Sequence, residues 1–291
     1  MASMKAIKKR IVSVNSTKKI MKAMNLVAAS KLQKAKARLD DIRPMSADIK
    51  KIIDSIKNSI DYEMEIPFTE EREVKNIAYI VLSSDRGLCG SYNATVSKEA
   101  YAFVESNRDK PEKIIAVGAK GHDYFRRRGK NIVHRYDTAS EATSYTDAMA
   151  LATLVADMYK TGQADEVYLV YTHFESVLAH IPNIVRLLPL KMSADNISES
   201  DASGTSAIMS YDPDIETFIK HAIPMYLNIT IYSAMIESSV CEQASRMTSM
   251  DSATRNATEI IDELTLDYNR KRQSMITQEI TEIVSGANAL Q

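Results

Sequence analysis

The sequence predicts an α/β protein in which long helices from the two ends of the chain form an antiparallel coiled coil, attached to a central βαβ domain. Two observations carry this prediction. All eight glycines lie between Gly87 and Gly286, and none of them falls in residues 1–86 or 205–285. In both glycine-free segments the apolar residues recur in steps of three and four, which is the spacing of a helix with one buried seam.

The N-terminal segment has the apolar repeat of a coiled coil. Its predicted seam contains Met4, Ile7, Ile11, Val14, Met21, Met24, Ala28, Leu32, Ala35, Leu39, Ile42, Ile49, Ile53, Ile56 and Ile60. A 3.5-residue repeat of this length predicts one helix over about residues 3–58, roughly 80 Å long at 1.5 Å per residue. Pro44 predicts a bend or a weak turn inside it. An ordinary amphipathic helix on a globular core is the alternative interpretation.

The middle of the chain alternates strand and helix patterns. Strands are predicted at residues 77–82, 113–117, 132–134 and 166–172, with an edge strand at 181–190 that contains two prolines. Helices are predicted at residues 91–107, 119–128 and 144–161. This alternation predicts a Rossmann-like βαβ domain with a largely parallel sheet. Residues 61–76 are interpreted as a linker and residues 193–213 as a flexible loop.

The helical pattern returns at Asp214 and continues to about Ala287. Its predicted seam contains Val240, Ala244, Met247, Thr254, Ala257, Ile261, Leu264, Tyr268 and Met275. Pro224 predicts a bend or a new helix start. The chain is therefore expected to divide into an N-terminal coiled-coil helix (1–60), a globular domain (61–213) and a C-terminal coiled-coil helix (214–291).

Charge is distributed unevenly although the net charge is only −1. The first 38 residues carry eleven basic side chains and no acidic one, whereas residues from Asp214 onward carry eleven acidic and six basic side chains. The basic helix can lie beside the acidic one, or it can face nucleic acid, an anionic membrane or an acidic protein surface. Residues 1–61 contain no Phe, Tyr or Trp, which weighs against stacking on single-stranded nucleic acid.

Composition also bears on the cellular compartment. No run of 18 apolar residues predicts a membrane span. Cys89 and Cys241 form no metal-binding or disulfide pattern, they are expected to lie too far apart for a bridge, and a reducing compartment is the simpler interpretation. The basic N-terminus is typical of a transit peptide, but it continues directly into the heptad pattern, which favours mature structure in a bacterial cytoplasm.

The central segment carries few signals of chemistry. Residues 84–93 (SDRGLCGSYN) lie between a strand and a helix, where phosphate-binding loops occur, but they match neither G-x-G-x-x-G nor G-x-x-x-x-G-K-[ST], so a tight turn is favoured. Cys89 is a candidate nucleophile for which no base is identifiable. The basic residues 126–128 could contact nucleic acid, although a solvated helix face is favoured. The five histidines lack metal-ligand spacing. We therefore expect no catalytic residue, cofactor or metal.

The terminal segments resemble one known family. Residues 11–39 (IVSVNSTKKIMKAMNLVAASKLQKAKARL) resemble the N-terminal helix of the F-type ATP synthase gamma subunit. Residues 244–290 (ASRMTSMDSATRNATEIIDELTLDYNRKRQSMITQEITEIVSGANAL) resemble the C-terminal helix of that family, and SSDRGLCGSYN (83–93) is similar to its central domain. The resemblance covers nearly the whole chain.

This resemblance implies a non-catalytic central-stalk rotor that couples ion flow through a membrane ring to ATP synthesis or hydrolysis. The implied partners are three α and three β subunits around one gamma subunit, together with the epsilon subunit and the c-ring. No nucleic acid is implied, and membrane contact is expected only through the complex, on the cytoplasmic side of a bacterial cell membrane. The alternative is a coiled-coil scaffold or nucleic-acid-binding protein with a non-catalytic α/β domain.

The resemblance also implies contact residues. Met24 matches a position near an acidic loop of β, and Arg246 matches a position implicated in coupling. Positions that contact a second β loop are matched by Arg272, Gln273, Thr277 and Glu279. An apolar tip held in a sleeve at the top of the ring is matched by Ile283, Val284, Ala287 and Leu290.

Overall fold

The computed structural model describes residues 4–59, 68–69, 72–137, 143–190 and 215–289. In chain order the elements are α1 (Met4–Ser59), β1 (Ile77–Leu82), α2 (Tyr92–Ser106), β2 (Glu112–Val117), α3 (Ala119–Arg126), β3 (Ile132–Tyr136), α4 (Tyr145–Lys160), β4 (Glu166–Phe174), β5 (His180–Leu188) and α5 (Ile215–Ala289). The predicted α/β fold class, with its long terminal helices and central sheet, is confirmed.

Two compact units make up the chain. The helical unit joins Met1–Ala29 to Arg246–Gln291, and the central unit is Ser30–Ser245. Each long helix contributes a segment to both units. The three-part division expected from the sequence stays a prediction. The predicted loop at 193–213 lies outside the described residues, as does most of the predicted linker at 61–76.

The sheet of the central unit has the strand order β3-β2-β1-β4-β5. The first four strands are parallel and β5 pairs antiparallel with β4 at one edge. All six residues of β1 are buried, as expected for the central strand of a sheet that is covered on both faces. The two prolines are accommodated because Pro182 lies on the edge strand and Pro189 follows its last residue.

Alternate side chains of the strands enter two separate cores. One core contains Ala78, Ile80 and Leu82 of β1 and packs against α4 and α5. The other contains Ile77, Tyr79 and Val81 of β1 and packs against α2 and α3. The period of two along β1 therefore places helices on both faces of the sheet.

The middle of α5 is buried on all sides. Residues 234–238 and 240–245 are buried without interruption, although an amphipathic helix normally buries only one face. Glu237, on this segment, accepts hydrogen bonds from the backbone N–H of Phe174 at 3.3 Å and from the guanidinium of Arg43 at 3.4 Å. His173 Nδ1 lies 2.9 Å from the same carboxylate oxygen. One carboxylate thus joins α5 to α1 and β4.

Both internal prolines lie within continuous helices, so of the two alternatives expected at each proline the weak turn at Pro44 and the new helix start at Pro224 were wrong, and a bend stays a prediction. Proline removes one helical hydrogen bond and costs about 3 kcal/mol in a helix interior. Both prolines are exposed, which lets water reach the carbonyl that is left without its helical donor. Buried neighbours, Ile42 and Ile49 in α1 and Ile223 and Leu227 in α5, hold each helix on its partner and offset the cost.

The seam predicted for α1 is confirmed over the residues whose side chains are described. Every predicted position from Met4 to Ile53 is buried or half-buried, while most residues between them are exposed. Ile56 and Ile60 lie outside the described side chains. On α5 the alternation continues through residues 254, 257, 261, 264 and 268, but Met275 is 45% exposed and does not belong to the seam. Nearly every residue beyond Tyr268 is exposed, so the seam on α5 ends before Met275.

A polar residue fixes the alignment within the helical unit. Asn25 occupies a seam position of α1, and its Nδ2 donates a hydrogen bond to the carbonyl oxygen of Met247 at 2.8 Å. A polar group at a single seam position favours one register because any slip leaves it unsatisfied. The small side chain of Ala28, one turn later, is 1% exposed, which shows how closely the backbones approach at this level.

We predict that Glu237→Leu destabilises the central unit by about 1–3 kcal/mol, because the buried N–H of Phe174 loses its acceptor. The expected loss in thermal midpoint is roughly 2–12 °C by circular dichroism. Glu237→Gln keeps an acceptor oxygen and should lose less. Glu259→Leu, an exposed change on the same helix, is the control and should stay within about 0.5 kcal/mol. Equal midpoints for Glu237→Leu and the wild-type chain would contradict the role given to this carboxylate.

Candidate functional site

The exposed face of α1 in the helical unit combines positive charge with apolar side chains. Its members are Lys5, Lys8, Lys9, Val12, Lys19, Ile20, Leu26 and Val27. At 100° per residue, Val12, Ile20, Leu26 and Val27 fall within one third of the helix circumference, away from the seam. We call this set the basic-apolar face. Four exposed aliphatic side chains among lysines are typical of a surface that contacts an apolar and acidic partner.

The end of α5 is exposed all round. Every residue from 272 to 288 is exposed, which corresponds to about 25 Å of helix. Apolar residues nevertheless follow one face at Ile276, Ile280, Ile283, Val284 and Ala287, in steps of three and four. Ile283 is 71% exposed and Ile280 is 57% exposed. We call this set the terminal stripe. A helix that presents such a stripe to water has a face suited to a partner outside this chain.

The structure places the expected contact residues at two levels. Met24 and Arg246 are half-buried, and each is next in sequence to one partner of the Asn25–Met247 hydrogen bond, so the helical unit brings them to the same level. Arg272 is 26 residues beyond Arg246, or about 39 Å along the helix.

The remaining expected contact residues lie toward the end of α5, which we call the upper level, and the level of Met24 and Arg246 is the lower level. Arg272, Gln273, Thr277 and Glu279 are all exposed, and Thr277 Oγ1 donates to the carbonyl oxygen of Gln273 at 3.0 Å. Three of the expected tip residues, Ile283, Val284 and Ala287, belong to the terminal stripe. Leu290 lies outside the described residues.

Sequence reasoning missed part of both surfaces. It did not identify Val12, Ile20, Leu26 and Val27, nor Ile276 and Ile280 of the terminal stripe. The signal in the sequence was the presence of apolar residues at helix positions outside the seam.

The loop that follows β1 is filled by its own side chains. Asp85 Oδ1 accepts a hydrogen bond from the N–H of Ala119 at 2.8 Å, at the beginning of α3. Ser83 Oγ accepts from the N–H of Gly121, and a Cβ at Gly118 would lie 2.3 Å from the carbonyl oxygen of Ser83. The carboxylate of Asp85 thus caps the beginning of α3, and its negative charge within the loop before α2 opposes the binding of a phosphate there. The tight turn favoured for SDRGLCGSYN agrees with this geometry.

Two of the three candidate nucleic-acid contacts, Arg126 and Arg128, make contacts within their own domain. Arg126 Nη2 lies 3.2 Å from Asp123 Oδ1. The guanidinium of Arg128 lies 3.6 Å from the centre of the Tyr124 ring and donates to the Tyr124 carbonyl. Within the described residues, no group of three His, Cys, Asp or Glu side chains is arranged to hold a metal ion.

Neither cysteine forms a disulfide, and both are buried. Ser245 Oγ donates to the Cys89 carbonyl at 2.6 Å, and Cys241 lies one turn before Ser245 on α5. Burial raises the pKa of the Cys241 thiol, and the neighbouring Glu237 raises it further. Cys89 Sγ accepts a hydrogen bond from Asn93 Nδ2 at 3.1 Å and is 2% exposed. A buried thiol is poorly placed for a nucleophile.

Comparison with known proteins adds independent findings. The model of the ATP synthase family matches residues 3–290. The ATP synthase gamma chain of Alkaliphilus metalliredigens is 43% identical over 290 residues, covering 99% of this chain and 98% of that relative.

Two solved structures share the fold. One is a chain of the Euglena gracilis mitochondrial ATP synthase in a structure of OSCP, F1 and c-ring, with a TM-score of 0.69, 16% identity and coverage of 99% of this chain and 94% of that one. The other comes from the central stalk and c-ring of the Tetrahymena thermophila mitochondrial ATP synthase, with a TM-score of 0.60, 23% identity and coverage of 80% and 99%.

We predict that Cys241 reacts with a thiol reagent at pH 8 at least about a hundredfold more slowly than an exposed thiol, because it stays buried and protonated. The comparison is the variant Leu88→Cys, since Leu88 is 64% exposed one residue before Cys89. Peptide mapping by mass spectrometry after timed labelling separates the three sites, and urea should make all of them react fully. Rapid labelling of Cys241 in the native chain would contradict its burial.

Proposed function

This chain belongs to the family of ATP synthase gamma chains, and we propose that it is the central-stalk rotor subunit of its complex. In this proposal the chain rotates inside a ring of α and β subunits and couples ion flow through a membrane ring to ATP synthesis or hydrolysis. The observation that supports it most directly is the exposed surface of the helical unit. A two-helix unit with a basic-apolar face and a terminal stripe has the surface of a shaft that is enclosed by partners.

Rotation works through the asymmetry of the shaft. The outward face of α1 is basic and apolar, whereas the last five turns of α5 carry both charges around an apolar stripe. One such shaft cannot present the same face to three identical β subunits at once. Each β subunit is therefore biased toward a different conformation by its different contacts, as any ligand shifts a population toward the state that it binds better.

The proposed assembly has one copy of this chain, three α and three β subunits, an epsilon subunit and a c-ring. The catalytic groups lie on partner subunits, and this chain supplies no cofactor site. Within the described residues no helix is both long enough and apolar enough to cross a membrane. As a subunit of an ATP synthase the chain is associated with a membrane through its complex, and we place it on the cytoplasmic side of a bacterial cell membrane.

Two levels of contact are proposed for the β subunits. At the lower level, Met24 lies near an acidic loop of β, where the positive charges of the basic-apolar face add attraction, and Arg246 at the same level takes part in coupling. At the upper level, Arg272, Gln273, Thr277 and Glu279 contact a second loop of β. Their side chains are exposed and either charged or able to hydrogen-bond, so each contact can be made and broken without a large desolvation cost.

The terminal stripe is proposed as the bearing of the shaft. Ile283, Val284, Ala287 and Leu290 would lie in an apolar sleeve at the top of the ring. Apolar contact has no preferred direction, which suits a surface that turns against its partner.

Native mass spectrometry of this chain, expressed together with α and β subunits from the same source, tests the proposal. We expect a complex with three α, three β and one copy of this chain, and faster ATP hydrolysis than from the chain or the separate subunits alone. If both partners fold and form a hexamer that never includes this chain, the rotor proposal is wrong and a scaffold becomes the better interpretation.

We predict that the double variant Ile283→Asp/Val284→Asp weakens assembly with α and β by at least about tenfold, because two apolar side chains are no longer buried in the sleeve. The free chain should keep its helix content, since both residues are exposed. The control is Gln278→Asp/Ser285→Asp, which places the same two charges on the opposite side of the same helix. Equal assembly of the two double variants in a titration followed by native mass spectrometry would contradict the bearing.

A further inference from the structure

Four methionines lie at one level of the helical unit. Met21 and Met24 are on α1, and Met247 and Met250 are on α5. The level is set by Asn25, the residue after Met24, because its amide donates to the carbonyl oxygen of Met247. We call these four residues the methionine cluster.

The cluster spans about one helical turn. Met21 precedes Asn25 by four residues, or about 6 Å, and Met250 follows Met247 by three residues, or about 4.5 Å. The helical unit joins Met1–Ala29 to Arg246–Gln291, so residues before Asn25 on α1 lie beside residues after Met247 on α5. Met21 and Met250 are therefore displaced in the same direction from the Asn25 hydrogen bond, by nearly the same distance.

The burial of the cluster makes it both part of the seam and open to small solutes. Met250 is 5% exposed, whereas Met21, Met24 and Met247 are half-buried. A half-buried side chain packs against the partner helix and keeps part of its surface in water. A small oxidant dissolved in that water can reach it without unfolding of the helical unit.

Methionine is an apolar residue that a mild oxidant converts into a polar one. A lone pair of the thioether sulfur attacks one oxygen of hydrogen peroxide, the O–O bond breaks, and an S–O bond forms. After proton transfer the second oxygen leaves as water, so that the sulfur loses two electrons and the peroxide gains them. The sulfoxide oxygen accepts hydrogen bonds, and its burial without a donor costs free energy.

The seam at this level is poorly suited to a sulfoxide. The amide of Asn25 already donates to the Met247 carbonyl at 2.8 Å. Ala28, one turn away, is 1% exposed, so the two helices approach closely beside the cluster. A sulfoxide must either leave the seam for water or compete for the amide of Asn25, and both outcomes weaken the pairing of the helices.

We propose that the methionine cluster is an oxidation-sensitive modification site: conversion of its thioethers to sulfoxides by a peroxide loosens the pairing of α1 with α5, and reduction of the sulfoxides restores it. The burial and the common level of the four side chains carry this inference. It does not depend on the proposed function, because it concerns the contact of two helices within this chain.

The test is hydrogen exchange of the full-length chain before and after treatment with hydrogen peroxide, followed by mass spectrometry. Peptide mapping should find sulfoxide first at Met275, which is 45% exposed, then at the half-buried members of the cluster and last at Met250. Once the cluster is oxidised, amides within residues 12–25 and 247–261 should exchange at least about tenfold faster. Methionine sulfoxide reductases should then restore the original exchange rates.

Two matched variants separate the cluster from the other methionines. The cluster variant is Met21→Leu/Met24→Leu/Met247→Leu/Met250→Leu, in which leucine keeps the apolar volume and offers no sulfur. The control variant replaces four methionines that are 43%, 44%, 44% and 45% exposed, as Met45→Leu/Met149→Leu/Met225→Leu/Met275→Leu. Both variants keep Cys89 and Cys241, so oxidation of a thiol cannot distinguish them.

Peroxide should accelerate exchange in the wild-type chain and the control variant, and it should leave the cluster variant unchanged. Equal acceleration in the two variants would overturn the proposal. So would a wild-type cluster that stays unoxidised while Met275 is fully converted, or one that is oxidised without any change in exchange.

Discussion

The burial of the middle of α5 on every side is the constraint on which the rest of the central unit depends. Residues 234–238 and 240–245 are surrounded by α1 on one side and by the sheet on another. A helix in this position cannot be amphipathic, and the segment accordingly reads as a mixture of apolar, small and polar residues without a polar face. Glu237 is one of several buried polar residues in this segment, and its carboxylate is surrounded by the guanidinium of Arg43, the N–H of Phe174 and the imidazole of His173.

The helical unit is packed differently from the central unit. Two helices packed only on each other bury one seam each, so their outward faces stay exposed whatever residues they carry. Asn25 places a polar side chain in the seam, which reduces the apolar surface that the two helices bury. Its hydrogen bond to the Met247 carbonyl gives the pair one preferred register. A defined register matters for a shaft, because torque is transmitted only if the two helices turn as one body.

Most of the fold could be predicted from the sequence, because local patterns determine it. The spacing of apolar residues in steps of three and four predicted the seam of α1. The continuous apolar run Ile77–Leu82, bounded by turn residues, predicted a buried strand. The effect of each proline on its helix could not be predicted from the local pattern. Whether Pro44 interrupts a helix depends on whether tertiary packing on both sides repays a lost hydrogen bond, and that packing involves residues two hundred positions away. The contact of Ser245 with the carbonyl of Cys89 could not be predicted for the same reason.

The proposed functional surfaces could likewise be predicted only in part. The resemblance implied contacts at Met24, Arg246 and the end of α5, which stay a proposal, whereas the exposed apolar residues of α1 could be recognised only once the seam had been assigned in three dimensions. Burial, not residue type, distinguishes Leu26 from Leu32: both are leucines of one helix, yet Leu26 is 63% exposed and Leu32 is 8% exposed.

A rotating shaft needs two kinds of contact, and the helical unit offers a surface of each kind. A contact that is remade at every step must be weak and reversible, which suits exposed charges that are solvated in both states. A contact that holds an axis must be equal in all directions, which suits a short apolar stripe with no hydrogen bonds to align. In the proposed assembly the lysines on the face of α1 and Arg272 on α5 serve the first purpose, and the terminal stripe from Ile276 to Ala287 serves the second. The separation of the two surfaces along one helix pair lets torque and alignment be carried by different residues, so that each surface can be altered without abolishing the other.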